Sequence, residues 1–303
     1  MTQPAITPQE MQAVLKARLH DQPTAKSPEM RQETIAQTLQ RLGMLDGAAC
    51  ERIASAQKKS KLSFGQTARK LGLISKSDLR FALGVHLGTV AEGYPSRKIP
   101  PALFSIDNPY AAASDVFRSL VNKLDGLIPE DGPRRFCIAP DKAAVYTPIA
   151  ALNLAATIAA AGKSTLLIDA SATLSSIWKV LSMTPNGFAG DVMAGKPVKQ
   201  MAAPTLVNRL SLLPFGDAAQ NDAKQFSHAN LEAFFAECNR QFDHVIILTD
   251  PRVLPSYSEN IWAASRNVLV TLRKDQTRAQ DLNKLKNNIR TANGEIIGAV
   301  ILD

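Results

Sequence analysis

The spacing of apolar residues changes near residue 134 of the chain. From there on, short runs of Val, Ile and Leu alternate with longer segments in which apolar residues recur at helical spacing. Near-continuous apolar runs are typical of strands covered on both faces, and their alternation with helices favours a parallel sheet. We predict an α/β fold with a mostly parallel sheet flanked by helices, with strands at 135–139, 165–170, 210–215, 244–250, 267–273 and 295–303.

The preceding part of the chain contains an internal repeat. The stretch "QTLQRLGML", which begins at Gln37, returns as "QTARKLGLI" at Gln66, so that Gly43 and Gly72 lie 29 positions apart. Each copy predicts a helix, a glycine that ends it in the left-handed conformation, and a second helix. Ser75 is expected to cap the second helix of the second copy. We therefore predict a small all-helical repeat domain over 31–87.

The remaining segments are predicted to connect or extend these two domains. Residues 88–109 carry four prolines and are interpreted as a linker to an α/β domain over 110–303. Residues 1–30 are rich in Gln, Pro, Thr and Ala, and two interpretations stay open: a flexible leader, or one short amphipathic helix. That helix would use apolar residues at helical spacing, namely Met11, Val14, Leu15 and Leu19.

Composition narrows the class of protein. Apolar residues make up 45% of the 303 residues, and no apolar run approaches the ~20 residues needed to cross a bilayer. The three cysteines have no metal-ligand spacing, so we expect reduced thiols and no metal site. The net charge of +8 is spread along the chain, which argues against nucleic acid and favours a basic surface facing an acidic partner or an anionic membrane leaflet. We expect a cytoplasmic protein.

The stretch Gly162-Lys163-Ser164 has the letters that close a phosphate-binding P-loop. A P-loop lies between a strand and the helix that follows it, because N–H groups at the helix N-terminus bind the phosphate. Here the order is reversed, since a helical segment precedes Gly162 and a strand-like run follows Ser164. We interpret this stretch as a helix-to-strand turn. The P-loop position is expected after the first strand, within "APDKAAVYTPIAALNLA" (139–155).

From Asn108 onward the chain resembles the bacterial tyrosine autokinases of capsule and exopolysaccharide synthesis, a branch of the P-loop ATPases related to MinD and ParA. The resemblance rests on "NPYAAASDVFRSLVNKL", on "NLAATIAAAGKSTLLIDA", on "FDHVIILTDP" where the Walker B strand belongs, and on the last helix and strand. It implies a P-loop-type sheet. The family's Glu-x-x-Arg-x-x-Arg oligomer helix falls on Asp115, Arg118 and Val121, so Asp115 and Arg118 are candidates for an oligomer or partner face. A solvated ion pair one turn apart is the alternative.

The family's phosphate-binding and metal-binding residues are mostly replaced. Its Gly-Lys-Ser/Thr falls on Val145, Tyr146 and Thr147, so the lysine that neutralises phosphate charge is missing. Its Asp-x-Asp-x-Arg keeps only Asp169, and its Walker B aspartate falls on Leu248, with Asp250 two residues further on. We predict a catalytically inactive, pseudokinase-like domain without catalytic residues or a cofactor. Its vestigial nucleotide cleft is expected to contain Lys142, Tyr146, Thr147, Asp169 and Asp250.

The repeat resembles the N-terminal domain of type II secretion and pilus assembly ATPases, the MshEN-like domain, which binds cyclic di-GMP in some members. The matching residues are Phe64, Gly65, Gly72, Leu73, Ile74, Leu79 and Leu83 in the second copy, and Gly43, Met44, Leu45 and Gln57 in the first. The family's opening arginines are replaced by Thr34 and Ser63, which cannot reproduce the bidentate pairing of a guanidinium. A protein-docking module is the favoured interpretation, and a cyclic di-GMP receptor is the alternative.

Together the two resemblances imply a non-enzymatic scaffold or regulator of exopolysaccharide synthesis, peripheral to the inner membrane. The expected partner is a membrane-embedded chain-length determinant protein, with a kinase or glycosyltransferase and a second copy of the chain as further candidates. The alternative is a divergent but active ATPase or tyrosine autokinase, which would use Lys142 or Lys163 in place of the missing lysine.

Overall fold

The computed structural model describes residues 33–94, 96–128, 134–141, 144–171, 176–216, 226–252 and 255–302. The amphipathic helix expected near the N-terminus lies outside these residues. From Glu33 onward the chain forms one compact unit. Within the described ranges, no helix is long and apolar enough to cross a membrane.

The predicted repeat is present as two helical hairpins with the same boundaries, shifted by the spacing of the sequence repeat. The helices are α1 (Ile35–Arg41) and α2 (Gly47–Gln57) in the first copy, and α3 (Phe64–Lys70) and α4 (Lys76–His86) in the second. Gly43 and Gly72 follow the first helix of each copy with φ of +67° and +68°, the left-handed conformation that glycine adopts without strain.

The N-terminal caps of the two copies are also equivalent. The Thr34 side chain accepts a hydrogen bond from the Gln37 backbone, and the Ser63 side chain accepts one from the Gln66 backbone. Each glutamine side chain in turn accepts a hydrogen bond from the backbone N–H of its cap residue, which completes a reciprocal capping box. The expected cap of α4 is confirmed, because the Ser75 side chain accepts a hydrogen bond from Asp78 N.

The rest of the chain forms the α/β part, whose mostly parallel sheet is confirmed. Its elements are α5 (Phe104–Asp107), α6 (Ala112–Leu127), β1 (Arg135–Pro140), α7 (Thr147–Ala160), β2 (Thr165–Ala170), α8 (Ser176–Val180), α9 (Ala189–Met193), α10 (Val198–Met201), β3 (Ala203–Pro204), β4 (Leu210–Pro214), α11 (His228–Gln241), β5 (His244–Thr249), α12 (Pro255–Ser265), β6 (Asn267–Arg273), α13 (Ala279–Thr291) and β7 (Glu295–Leu302).

The strand order is β3-β4-β2-β5-β1-β6-β7, and the strands run parallel except β3, which is antiparallel to β4. The predicted strands match six of the observed strands to within one residue at each end. The sequence pattern did not predict β3, because a two-residue strand has no periodicity. Apolar side chains cover both faces of the sheet: one cluster includes Ile138 and Leu152, and the other includes Val245 and Phe235.

The repeat and the α/β part share one apolar cluster, since Leu39, Ile53 and Phe81 belong to the same cluster as Ile138. A short backbone strap adds to this contact. Val90 pairs antiparallel with Val207. The Asn208 side chain donates to the carbonyls of Gly88 and Val90, at 2.8 and 3.1 Å. The strap fixes the repeat against the β3–β4 turn. The domain limits predicted from the sequence stay a prediction, because close packing does not show whether either part folds alone.

The predicted linker is anchored to the first helix of the sheet through Asn153 of α7. This side chain is fully buried. Its Oδ1 accepts a hydrogen bond from Ser105 N at 3.0 Å, and its Nδ2 donates to Ala102 O at 2.6 Å and to Ile149 O at 2.9 Å. One amide group therefore satisfies buried backbone groups of the segment that joins the repeat to the sheet.

Asn153→Ala should lower the free energy of unfolding by about 2–3 kcal/mol, because it leaves the Ser105 N–H and the Ala102 carbonyl buried without partners. Asn122→Ala, on the exposed face of α6, is the matched control. Urea unfolding of both variants measures the difference. Equal stability of the two variants would show that Asn153 does not anchor the linker.

A buried histidine, His244, lies at the amino-terminal edge of the parallel sheet. His244 begins β5, and its Nε2 is 3.7 Å from Asp125, which also forms an ion pair with Arg134 at 2.7 Å. Its Nδ1 is buried and has no hydrogen-bond partner among the described residues. Burial lowers the pKa of His244 below its usual value, against the opposing pull of Asp125.

The lowered pKa of His244 makes stability depend on pH. Because the unfolded histidine, with a pKa of about 6.5, binds a proton before the folded one does, stability is complete above that value and falls as the pH drops toward the folded-state pKa. His244→Gln should remove this fall between about pH 7 and pH 5, whereas His228→Gln, on an exposed helix start, should keep it. Chemical denaturation across this pH range provides the measurement. An unchanged pH dependence in His244→Gln would contradict the assignment.

Candidate nucleotide cleft at the carboxyl edge of the sheet

The Gly162–Ser164 stretch is confirmed as a turn between α7 and β2. Gly162 has φ of +92°, and β2 begins at Thr165. The Ser164 backbone N–H and hydroxyl both donate to the Asp243 carboxylate, at 2.7 and 2.8 Å. Because this turn lies at the amino-terminal end of a parallel strand, it is at the wrong edge of the sheet for a P-loop.

The position of a true P-loop is the loop from β1 to α7, and its first residue is an aspartate. Asp141 is 3% exposed. Its N–H donates to Thr271 O at 2.9 Å, and its Oδ2 accepts from the Thr277 hydroxyl at 2.6 Å. The next residue, Lys142, lies outside the described residues. Sequence reasoning missed Asp141, because the family motif gives no role to this position.

The residues at the motif positions themselves contact the protein or solvent. Val145 and Tyr146 are about half exposed, and the Arg273 guanidinium lies over the Tyr146 ring at 5.3 Å. The buried Thr147 hydroxyl is 2.6 Å from both the Ala144 carbonyl and the Thr271 hydroxyl. The hydroxyl that would contact a metal ion in a P-loop is therefore engaged in hydrogen bonds with the protein.

The start of α7 offers fewer backbone donors than a P-loop helix does. No side chain caps this end of the helix, and Pro148 occupies its first turn. Proline fits there without strain but has no N–H. Phosphate binding at a helix N-terminus depends on these N–H groups, so each missing donor weakens it.

Asp169, the carboxylate expected in the cleft, is hydrogen-bonded within the protein. Asp169 is the penultimate residue of β2 and is 3% exposed. Its Oδ1 accepts from the Ser171 hydroxyl at 2.5 Å, and its Oδ2 accepts from the indole N–H of the buried Trp178 at 3.0 Å. Leu248 lies beside it in the β2–β5 ladder, and its apolar side chain is buried where the family has an aspartate.

Asp250 follows β5 and pairs with a residue of its own loop. Arg252 Nε donates to Oδ1 at 2.8 Å and Arg252 Nη2 donates to Oδ2 at 2.7 Å. The Arg252 backbone N–H also donates to Oδ1 at 3.1 Å. These hydrogen bonds raise the pKa of the Arg252 guanidinium. The geometry is that of a carboxylate that shapes a loop.

The described cleft contains both carboxylates and cations. Three carboxylates, those of Asp141, Asp169 and Asp250, lie at the ends of the neighbouring strands β1, β2 and β5. Arg252 pairs with Asp250, and the Arg273 guanidinium lies over Tyr146, so the excess of negative charge is small. In the described part of the chain, no three His, Cys, Asp or Glu residues are grouped so that they could hold a metal ion.

The candidate oligomer residues lie on α6, away from this cleft in sequence. Arg118 and Asp115 form an ion pair one helical turn apart, with both side chains substantially exposed. Arg118 Nη1 also donates to the Pro109 carbonyl at 2.6 Å. These local contacts fit the alternative of a solvated ion pair, and an oligomer or partner role stays a prediction.

The sequence of the chain is similar to that of a bacterial kinase. No family model matches the chain. A putative tyrosine-protein kinase of Staphylococcus aureus, CapB, is 22% identical over 200 residues, which cover 66% of this chain and 88% of CapB. The chain is related to the bacterial tyrosine kinases.

Solved kinase structures support the same relationship at the level of the fold. The kinase domain of the Escherichia coli tyrosine kinase ETK is 18% identical with a TM-score of 0.61, covering 72% of this chain and 85% of that domain. The chimerical protein CapA2B2 is 17% identical with a TM-score of 0.60, covering 66% of this chain and 89% of CapA2B2. At these identities the match concerns the fold, so the chemistry of the cleft depends on its own residues.

Asp169→Ala should cost about 1–3 kcal/mol of stability, because it leaves the buried Trp178 indole N–H without its acceptor. Asp250→Ala removes a more accessible ion pair and should cost about 1 kcal/mol or less. Urea unfolding of the two variants and of Trp178→Phe measures these costs. A stabilising effect of Asp169→Ala would contradict a structural role and indicate a carboxylate kept for ligand binding.

Proposed function

We propose that this chain is a catalytically inactive, pseudokinase-like scaffold or regulator of bacterial exopolysaccharide synthesis. The observation that carries the proposal is the loop from β1 to α7. This loop has Val145 and Tyr146 at the glycine and lysine positions of the family. The Thr147 hydroxyl is hydrogen-bonded to the Ala144 carbonyl and the Thr271 hydroxyl.

Nucleotide binding at a P-loop depends on neutralising the phosphate charge. A P-loop holds a nucleotide with backbone N–H groups, a lysine and a metal ion bound to hydroxyl and carboxylate groups. In this chain, Tyr146 supplies no positive charge at the position of the lysine. The Asp169 carboxylate accepts hydrogen bonds from Ser171 and Trp178. The leucine at position 248 supplies no metal ligand. Several independent components of phosphoryl transfer are therefore missing at once.

The pathway and partner follow from the resemblance to the capsule and exopolysaccharide kinases and from the relationship to CapB. We propose that the chain acts at the inner face of the membrane with a chain-length determinant protein, and that a kinase or glycosyltransferase can share the complex. A second copy of the chain can assemble through the α6 face that carries Asp115 and Arg118.

Two other candidates are disfavoured by particular residues. A divergent ATPase would need a replacement lysine, and Lys163 lies in the turn before β2, at the edge of the sheet opposite to Asp169 and Asp250. That leaves Lys142 as its candidate. A cyclic di-GMP receptor would use the repeat, but Thr34 and Ser63, which replace its arginines, cap α1 and α3.

Calorimetric titration with Mg-ADP and Mg-ATP tests the proposal. We expect no saturable heat and no thermal shift. The assay is sensitive enough to detect a micromolar site, because a ligand at about 100 times its Kd stabilises a protein by about 2.7 kcal/mol. The ETK kinase domain is the positive control, and Tyr146→Lys tests whether the loop can regain affinity.

Micromolar binding by the wild-type chain would overturn the pseudokinase proposal. Lys142→Ala would then identify the cation of a divergent live site if it abolished the binding.

A further inference from the structure

The two copies of the repeat present equivalent turns to different surroundings. Arg41 and Leu42 end α1 in the first copy, and Lys70 and Leu71 occupy the same places at the end of α3. Both leucines are C-caps with nearly the same backbone conformation, and a left-handed glycine follows each. The two turns therefore offer the same backbone shape to whatever packs against them.

The first turn is covered by the segment of the chain that follows the repeat. The Glu92 carboxylate forms an ion pair with Arg41, which also pairs with Glu33. Five residues further on, Arg97 Nη1 donates to the Leu42 carbonyl at 2.9 Å. Leu42 is 6% exposed in this setting. The segment thus supplies a carboxylate for the cation and a donor for the carbonyl.

The second turn has no such cover among the described residues. Leu71 is 40% exposed, although its counterpart Leu42 is buried. Lys70 is exposed, and neither an ion pair to its ammonium group nor a side-chain donor to the Leu71 carbonyl is present in the described ranges. Arg69 stands where the first copy has Gln40, so this turn carries one more positive charge than the covered one.

The surroundings of the second turn favour an acidic partner. Residues 33–98 contain eleven Lys and Arg but only five Asp and Glu, and Glu33 and Glu92 are engaged with Arg41. An incoming carboxylate would therefore meet a positive potential. The segment that covers the first turn is itself bent, because the Tyr94 N–H donates to the Ala91 carbonyl at 3.3 Å.

We propose that the Lys70–Leu71 turn is a docking surface for an acidic segment of a partner protein. The segment places a carboxylate against Lys70 and Arg69, covers Leu71 with an apolar side chain, and donates a hydrogen bond to the Leu71 carbonyl. The precedent for this contact is the chain's own segment from Glu92 to Arg97, which contacts Arg41 and the Leu42 carbonyl in the first copy. This surface is separate from the nucleotide cleft, and the inference stands whether or not a nucleotide binds.

The test uses a fluorescent peptide with the sequence of residues 88–99 in which Lys98 is replaced by Glu, GTVAEGYPSREI, so that its acidic side chains outnumber its basic ones; the peptide is titrated with the full chain in an anisotropy measurement. We expect saturable binding that Lys70→Glu weakens by about tenfold, because the variant turns an attractive contact into a repulsive one. Leu71→Ala should weaken it several-fold. Lys58→Glu makes the same charge change at the exposed end of α2 and should leave binding within about twofold. Substituting both glutamates of the peptide by lysine should abolish binding to the wild-type chain.

Absence of saturable peptide binding would overturn the proposal, and so would equal losses in Lys70→Glu and Lys58→Glu, which indicate attraction to net charge alone. Sedimentation with vesicles of phosphatidylcholine and phosphatidylglycerol distinguishes a membrane ligand. If Lys70→Glu and Leu71→Ala abolish vesicle binding while peptide binding is unchanged, the surface serves a membrane and the proposal fails. Circular dichroism confirms that each variant is folded.

Discussion

The pairing of β1 between β5 and β6 is the constraint on which the site depends. Since β1 is parallel to both neighbours, its loop to α7 emerges at the same edge as the ends of β2, β5 and β6. That edge is where open α/β sheets bind ligands. In this chain the groups delivered to that edge bind one another: Thr147 contacts Thr271, Asp141 contacts Thr277 and Asp169 contacts Trp178. The strand arrangement is that of a nucleotide-binding fold, and these polar groups at its carboxyl edge are hydrogen-bonded within the protein.

This internal use of polar groups matters more than the loss of any one motif residue. A missing lysine alone leaves carboxylates and hydroxyls that can hold a metal ion. A ligand at the Thr147 hydroxyl or the Asp169 carboxylate would compete with the hydrogen bonds that these groups make to the protein, and could exchange one of them for its own. These hydrogen bonds are the structural basis for the proposal that the cleft does not bind a nucleotide.

The sequence alone could predict the features that have a period or a fixed spacing. Continuous apolar runs predicted six strands, and the spacing of Gly43 and Gly72 predicted two equivalent hairpins. It could not predict features that join distant positions without a pattern. The Trp178 indole reaches Asp169, Asn153 holds residues some fifty positions earlier, and Arg97 contacts the carbonyl of Leu42. Each depends on the finished packing. Asp141 could not be predicted for a different reason, because the family motif consists of glycines, a lysine and a hydroxyl residue and gives no role to an acid at this position.

The asymmetry of the repeat follows from its attachment to the sheet. The segment that covers the first turn through Glu92 and Arg97 begins at the strap, where Val90 pairs with Val207. Fixing the repeat to the β3–β4 turn thus uses the surface of the first copy, whereas the second copy has no equivalent segment within the described residues. Because the strap and the shared apolar cluster hold the repeat against the sheet, a partner docked at Lys70 and Leu71 would take a defined position relative to the α/β part. The proposed scaffold role is compatible with this arrangement, since positioning a partner requires a rigid junction and an open surface but no phosphoryl transfer.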